Sequence, residues 1–204
     1  MRQLLIYVAA AWSGFFVMGV ELLGGRLLAP FFGSSIFVWG AVITVFMAFL
    51  SLGYLLGGRF SLKNPGLSRL GILLIAEALL AAPLLICGNE MLEWVSARVG
   101  DPRYGSLLAS LMLFGLPTLL SGMVSPYAVR LLIHSIHAAG NSAGRLYFAS
   151  TVGSAAGTIV TSFYLVLYLP INSILGLLMA ISLAVGSTLF LASRVLGSNA
   201  SPST

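Results

Sequence analysis

An all-α polytopic membrane bundle of about six transmembrane helices is the fold class that this sequence predicts, and three observations predict it. The 48 residues from Leu146 to Ser193 contain no Asp, Glu, Lys or Arg. Of 204 residues, 59% are hydrophobic and only 7% charged, against about a quarter charged in an ordinary soluble domain. The remaining charges stand singly between apolar blocks long enough to cross about 30 Å of hydrocarbon, which takes roughly 20 residues of helix. One transmembrane domain over residues 1–197 follows, with 198–204 a short disordered tail.

The first helix is expected at 4–27. Met1-Arg2, an apolar run and Ala9-Ala10-Ala11 imitate a signal peptide, but hydrophobicity continues to Val20, so this is a retained helix rather than a cleaved leader. Pro30 and Gly33-Ser34-Ser35 make the first turn, and Lys63-Asn64-Pro65-Gly66 the second. These bound a second helix at 35–58 and open a third at 69–89. Residues 89–104 hold three of the five acids, Glu90, Glu93 and Asp101, and a short surface helix is expected around Met91, Trp94 and Val95. The fourth helix, 105–132, contains Pro117 and Pro126, which should kink it and leave carbonyls for Thr118, Ser121 or Ser125 to satisfy. Gly140-Asn141-Ser142 is expected to break the next connection, before a fifth helix at 145–169. Pro170 and Asn172 mark the turn into a sixth at 171–193.

Basic residues near helix ends set orientation. With the N-terminus inside, seven of them (Arg2, Arg59, Lys63, Arg69, Arg130, Arg145 and Arg194) lie on the cytoplasmic side and three (Arg26, Arg98 and Arg103) on the other, so both termini are expected to be cytoplasmic. Scattered in this way, the net charge of +5 is a topology signal and not a nucleic-acid footprint. Trp12, Trp39 and Trp94, with Tyr7, Tyr104, Tyr127 and Tyr168, mostly read as interfacial belt residues. Gly53 and Gly57 in the second helix, and Gly153 and Gly157 in the fifth, leave one helix face bare so that a neighbouring backbone can approach. Their matching positions in the two halves point to a repeat of three plus three helices.

Charges inside the apolar blocks are the candidate functional residues. Glu77 falls near the middle of the third helix, with Arg69 on the same face but about 12 Å away along the axis. An acid at that depth must be protonated, paired across helices or open to water; it is a candidate cation-binding or proton-carrying group, or else a neutral acid bonded to a neighbouring helix. Glu21 and Arg26 bracket Leu22-Leu23-Gly24-Gly25. They face different neighbours unless the glycine pair breaks the helix. Glu21 is expected either to clamp an arginine or to join Glu77 in an acidic site for an organic cation. Arg59, Arg130 and Arg145 at helix ends can snorkel to lipid phosphate, and Arg26, Arg59 and Arg145 are the candidate charge partners of the two acids. His134 and His137 share a helical face without a nearby acid or cysteine, a poor metal pattern. Cys87 stands alone, so neither a disulfide nor a cysteine metal site is available. No nucleophile with its base, glycine-rich phosphate loop or metal-ligand cluster is present, so no enzyme activity, cofactor or metal is expected.

Several motifs carry a family resemblance. Glu21-Leu-Leu-Gly-Gly-Arg-Leu-Leu-Ala-Pro-Phe-Phe-Gly-Ser-Ser, Val38-Trp39, Leu52-Gly-Tyr-Leu-Leu-Gly-Gly-Arg59, Gly144-Arg145-Leu-Tyr and Gly153-Ser-Ala-Ala-Gly157 resemble the membrane portion of the fused carrier-like and spermidine-synthase-like proteins of bacteria. The similarity runs from about residue 14 to 170 and is most distinctive in the first sixty residues. In that family the membrane helices precede a cytoplasmic domain resembling aminopropyltransferases. This sequence has no counterpart of that domain's nucleotide-binding glycines or catalytic aspartate, so the resemblance implies no enzyme. It implies a bacterial inner-membrane protein whose six helices resemble half of a major-facilitator carrier. Gly53 to Arg59 occupies the place of those carriers' loop motif, with Gly57 and Gly58 where an Asp is expected, and half a carrier calls for a second copy or another subunit.

Three functions are consistent with these features. The first is a module that partners a separate aminopropyltransferase-like protein and binds or moves a polyamine-like cation or its product. The second is a small carrier, a dimer in the simplest case, of an unrelated metabolite, proton-coupled through Glu77. The third is a structural or anchoring subunit of a larger membrane complex.

Overall fold

A single segment in hydrocarbon can pair all its backbone groups only as a helix. In the computed structural model, which describes residues 1–133 and 139–198, helices are accordingly the only regular elements among the described residues. They are α1 (Arg2–Phe32), α2 (Ile36–Phe60), α3 (Leu67–Ile86), α4 (Gly88–Arg98), α5 (Pro102–Leu132), α6 (Ala139–Val160), α7 (Val166–Tyr168) and α8 (Ile171–Ser198). One π-helical turn, Thr161–Leu165, joins α6 to α7, so that Ala139–Tyr168 is one continuous rod. Six helices are long and apolar enough to cross a membrane: α1, α2, α3, α5, the α6–α7 rod and α8. The chain is a multi-pass membrane helix bundle, and lipid is its surroundings.

Several boundaries differ from the sequence expectation for local reasons. Gly24 and Gly25 do not break α1, which runs on through Pro30 and stops at Gly33, whose φ of 81° only glycine adopts freely. Inside a bilayer an unpaired backbone costs more than the poor helix propensity of two glycines. Gly140-Asn141-Ser142 does not interrupt the chain either, because it forms the opening turn of α6. Those residue types suit a helix start, where the first N–H groups have no partner within the helix. α5 begins at Pro102, with Asp101 as its N-cap accepting the Arg103 N–H at 2.9 Å; proline at the first helical position has no N–H to waste. The expected surface helix is α4, which buries Leu92 and Val95 and exposes Trp94 beneath the Arg98 guanidinium. Ser198 of the expected tail still belongs to α8, and residues 199–204 lie outside the described residues, as do His134 and His137.

Glycine organises the pairing of helices. Gly53 and Gly57 of α2 lie against the α5 backbone at Leu119, Gly122 and Met123, where a methyl group on Gly57 would stand 2.5 Å from the Met123 carbonyl oxygen. Gly153 and Gly157 of α6 lie in the same manner against Ala11 and Phe15 of α1. Gly71 of α3 and Gly186 of α8 face each other, and a methyl group on either would meet the carbonyl of the other within 2.7 Å. Three tight pairs result, α2 with α5, α1 with α6 and α3 with α8, held together by α5 packing on α1 and α3.

The core is divided in two along the bundle. One apolar cluster gathers Phe16, Leu28, Phe46, Leu84, Phe114 and Leu178, and the other Ile6, Leu70, Leu74, Tyr127, Leu131 and Leu189. Along α1, α3, α5 and α8 alike, the change from one cluster to the other falls at a polar residue: Ser13, Glu77, Ser121 and Ser182. A polar layer therefore crosses the middle of the bundle.

Candidate functional site in the polar layer

Glu77 projects from α3 into this layer and is completely buried. Its Oε2 is 2.7 Å from Ser121 Oγ of α5, and its Oε1 is 3.1 Å from Ser182 Oγ of α8. Trp12 of α1 donates its indole N–H to Ser182 Oγ at 2.7 Å. The indole has no acceptor, so Ser182 accepts from it and has its own hydrogen free for Glu77 Oε1. Ser121 differs, because its hydroxyl is also 3.2 Å from the Pro117 carbonyl, one turn back on α5. Towards an ionised carboxylate, Ser121 donates to Oε2. Towards a protonated one, it accepts the acid hydrogen and turns its own to Pro117. Every donor in the cluster thus has an acceptor in either protonation state.

No charged side chain stands against Glu77 among the described residues. Arg69 instead donates to the Lys63 carbonyl and lies over the Phe60 ring at 5.5 Å, near the Tyr127 hydroxyl that bridges to Gly66. None of the candidate partners Arg26, Arg59 and Arg145 forms an ion pair with Glu77 or Glu21 among the described residues. The one ion pair among the described residues is Asp101 with Arg103, outside the polar layer. Arg145 stands over the Tyr7 ring at 5.9 Å, the Arg59 side chain makes no hydrogen bond or ion pair among the described residues, and Arg26 is exposed. Glu21 is half-buried without a hydrogen bond or ion pair among the described residues, so the expected clamp to Arg26 is not formed. Glu21 follows Ser13 by eight residues on α1, about 12 Å along the axis. Hence the two acids do not meet in one site.

Beside the Glu77 cluster lies a cavity of about 100 Å³, walled by α1, α2, α5 and α6. Its polar lining is Ser13, Ser121, Ser125, Ser150 and Ser154, with Tyr54 at the rim. Ser13 donates to the Ser121 carbonyl at 3.3 Å, whereas the hydroxyls of Ser125, Ser150 and Ser154 make no hydrogen bond among the described residues. Ser121 is the residue shared by this cavity and the carboxyl cluster. Wider open clefts occur at the two ends of the bundle, one of about 620 Å³ around Tyr7, Asn141 and Arg145, another of about 380 Å³ around Arg26, Asn89 and Glu93.

Sequence reasoning singled out Glu77 but missed its companions. Trp12 read as a belt residue, yet it stands within the polar layer and holds Ser182. Ser121 figured only as a partner for a proline-freed carbonyl; its hydroxyl instead faces the carbonyl of Pro117 itself, which is not the one left without a donor by the missing proline N–H, and it serves the acid. Ser182, Ser150 and Ser154 had no signal beyond being hydroxyls in apolar helices, although the spacing of four in Ser121/Ser125 and Ser150/Ser154 marks one face of each helix.

These features define a multi-pass helical membrane protein with a buried acid at mid-bundle that has no counter-charge among the described residues. Comparison with protein-family models, with characterised proteins and with solved structures finds no match.

Proposed function

We propose that the chain is a proton-coupled membrane carrier module in which Glu77 loads and releases a proton as the helices rearrange. The observation that carries this reading is the hydrogen-bond set around Glu77, complete with the carboxyl charged or neutral and lacking a counter-cation among the described residues. A merely structural acid needs one satisfied state, whereas a proton carrier needs two. An intramembrane ionisable residue facing a bundle interior is also a common feature of proton pathways.

The helix pairing supports a carrier architecture. Under a three-plus-three correspondence α1 matches α5, α2 matches the α6–α7 rod and α3 matches α8. The α1/α6 pair then exchanges with α5/α2, and α3/α8 maps onto itself. On that correspondence Ser13-Gly14 would match Ser121-Gly122, Gly53 and Gly57 would match Gly153 and Gly157, and Gly71 would match Gly186, all but the serines being close-packed glycines or their neighbours. With three helices per unit the second half runs in the opposite sense, the arrangement in which carriers place their sites at the unit interface. On the same correspondence the cavity would lie at that interface, its lining pairing Ser13 with Ser121, Val17 with Ser125, Leu50 with Ser150 and Tyr54 with Ser154.

Reconstituted protein in lightly buffered liposomes provides the test. A panel of small metabolites that includes spermidine is added outside, and internal pH is followed with a trapped dye. One solute class is expected to move protons in the wild type and none in Glu77→Gln. Solute flux that is the same in both proteins at every imposed pH gradient refutes the reading.

A second reading, a membrane partner for an aminopropyltransferase-like protein, is favoured by one observation. Gly144 and Arg145, from a motif that carries the family resemblance, line the open cleft of about 620 Å³ at the end of the bundle rich in basic residues. Pull-down of such an enzyme by the wild type and its loss in Arg145→Glu would support it; equal recovery with both would dismiss it.

A further inference from the structure

We infer that the serine-lined cavity is the hydrated chamber through which Glu77 exchanges its proton, with the Ser121 hydroxyl as the relay between chamber and carboxyl. This deepens the reading of Glu77 as a proton carrier and rests on it. In size the cavity suits water and a coupling proton rather than the transported solute: about 100 Å³ is well below the roughly 300–1,000 Å³ of ligand pockets, and carriers place coupling-ion as well as substrate sites at the unit interface. It holds about three waters at ~30 Å³ each. Its walls supply what such waters require, since Ser125, Ser150 and Ser154 present hydroxyls without protein partners among the described residues. A water needs two to four polar neighbours to remain in a protein interior, and serines from three helices provide them. Among the described residues no charged side chain lines the cavity to trap a proton on its way.

The relay step balances. A protonated water in the chamber transfers a hydrogen ion to Ser121 Oγ as the bond from Oγ to its own hydrogen breaks, and that hydrogen moves across the 2.7 Å gap to Glu77 Oε2. The carboxylate becomes a carboxylic acid, the chamber water becomes neutral, and the serine is left as it began. Rotation of the new hydroxyl towards the Pro117 carbonyl leaves Ser121 Oγ accepting from the acid. Release reverses these steps. The other groups packed around Glu77 cannot substitute: Ser182 is held by Trp12 and lies outside the chamber lining, and α1, α5 and α8 bring no titratable side chain against the carboxyl among the described residues.

The test is infrared spectroscopy of the intact protein in liposomes, using the carbonyl stretch of the protonated Glu77 carboxyl, assigned by its loss in Glu77→Gln. Its shift after transfer into deuterated buffer measures proton exchange at this residue without any transported solute. Ser121→Ala is expected to slow the shift about a hundredfold, the lower range for loss of a positioned proton-transfer group. Ser121→Thr, which keeps the hydroxyl, should restore it. Ser154→Leu, which fills the chamber without touching the carboxyl, should slow exchange while leaving the band position unchanged. Exchange at the wild-type rate in both Ser121→Ala and Ser154→Leu overturns the relay while leaving the carrier reading intact. A Glu77 carboxyl that never shows a protonated band at any pH removes the carrier reading and the relay together.

Discussion

At the level of single residues, the polar layer is governed by the cost of leaving a donor or acceptor unpaired in hydrocarbon. Glu77 accepts from two serines, one of them oriented by Trp12. Glu77→Gln keeps the shape and most of these bonds, and its stability to denaturing detergent should remain within about 1 kcal/mol of wild type. Glu77→Ala leaves Ser182 and Ser121 facing a void and should lose about 2–4 kcal/mol, the sum of a buried unsatisfied group and a cavity. If the two variants unfold at the same detergent concentration, the hydrogen bonds around the carboxyl are not what stabilises the layer. Trp12→Phe removes one donor and should cost about 1 kcal/mol. Glu21 is the contrasting acid, half-buried and unpaired among the described residues, so Glu21→Gln should change stability by no more than about 0.5 kcal/mol. A substantial loss would mean that the clamp to an arginine exists after all.

At the level of elements, bare helix faces decide who packs on whom. Glycine is costly in a helix, by about 1 kcal/mol against alanine, and is kept where a backbone must come close. Gly57→Ala and Gly153→Ala push a methyl into the facing backbone of α5 and α1 and should each cost about 1–3 kcal/mol through overpacking. Gly58, next in the chain, has nothing within 4 Å of its would-be methyl. Gly58→Ala should therefore be neutral, or gain up to about 1 kcal/mol from helix propensity. Thermal melts of the three purified variants decide the matter, and a Gly58→Ala that is as harmful as Gly57→Ala would contradict the assigned faces. The π-helical turn at Thr161–Leu165 rotates the register between α6 and α7, which a hydropathy pattern does not register.

At the level of the whole molecule, orientation is the property with the widest consequences, because it determines which side would feed the proposed proton site. The basic bias predicts the loop between α2 and α3 inside and the segment between α4 and α5 outside. In a Cys87→Ser background, a membrane-impermeant thiol reagent applied to intact cells should label Gly100→Cys and spare Leu62→Cys until the membrane is opened. The opposite pattern would invert the proposed topology and with it the direction of proton entry.

What the amino-acid order determined alone was the solvent and the number of crossings. Transfer into hydrocarbon is a property of each segment by itself, summed over about 20 neighbouring residues, so six apolar blocks read as six helices without knowledge of their neighbours. The same local reasoning identified Glu77 as misplaced and the paired glycines as contact faces. Termination was less legible, since Gly24-Gly25 looks like a break in water but remains helical where backbone groups have no other partner, and Gly140-Asn141-Ser142, which reads as a loop, opens α6. Tertiary structure alone decided which groups answer the acid. Ser182 lies 105 residues from Glu77, and Trp12 lies 170 residues from Ser182. Their meeting depends on three glycine-lined crossings that set helix rotation and depth together, and no spacing within one helix encodes that geometry.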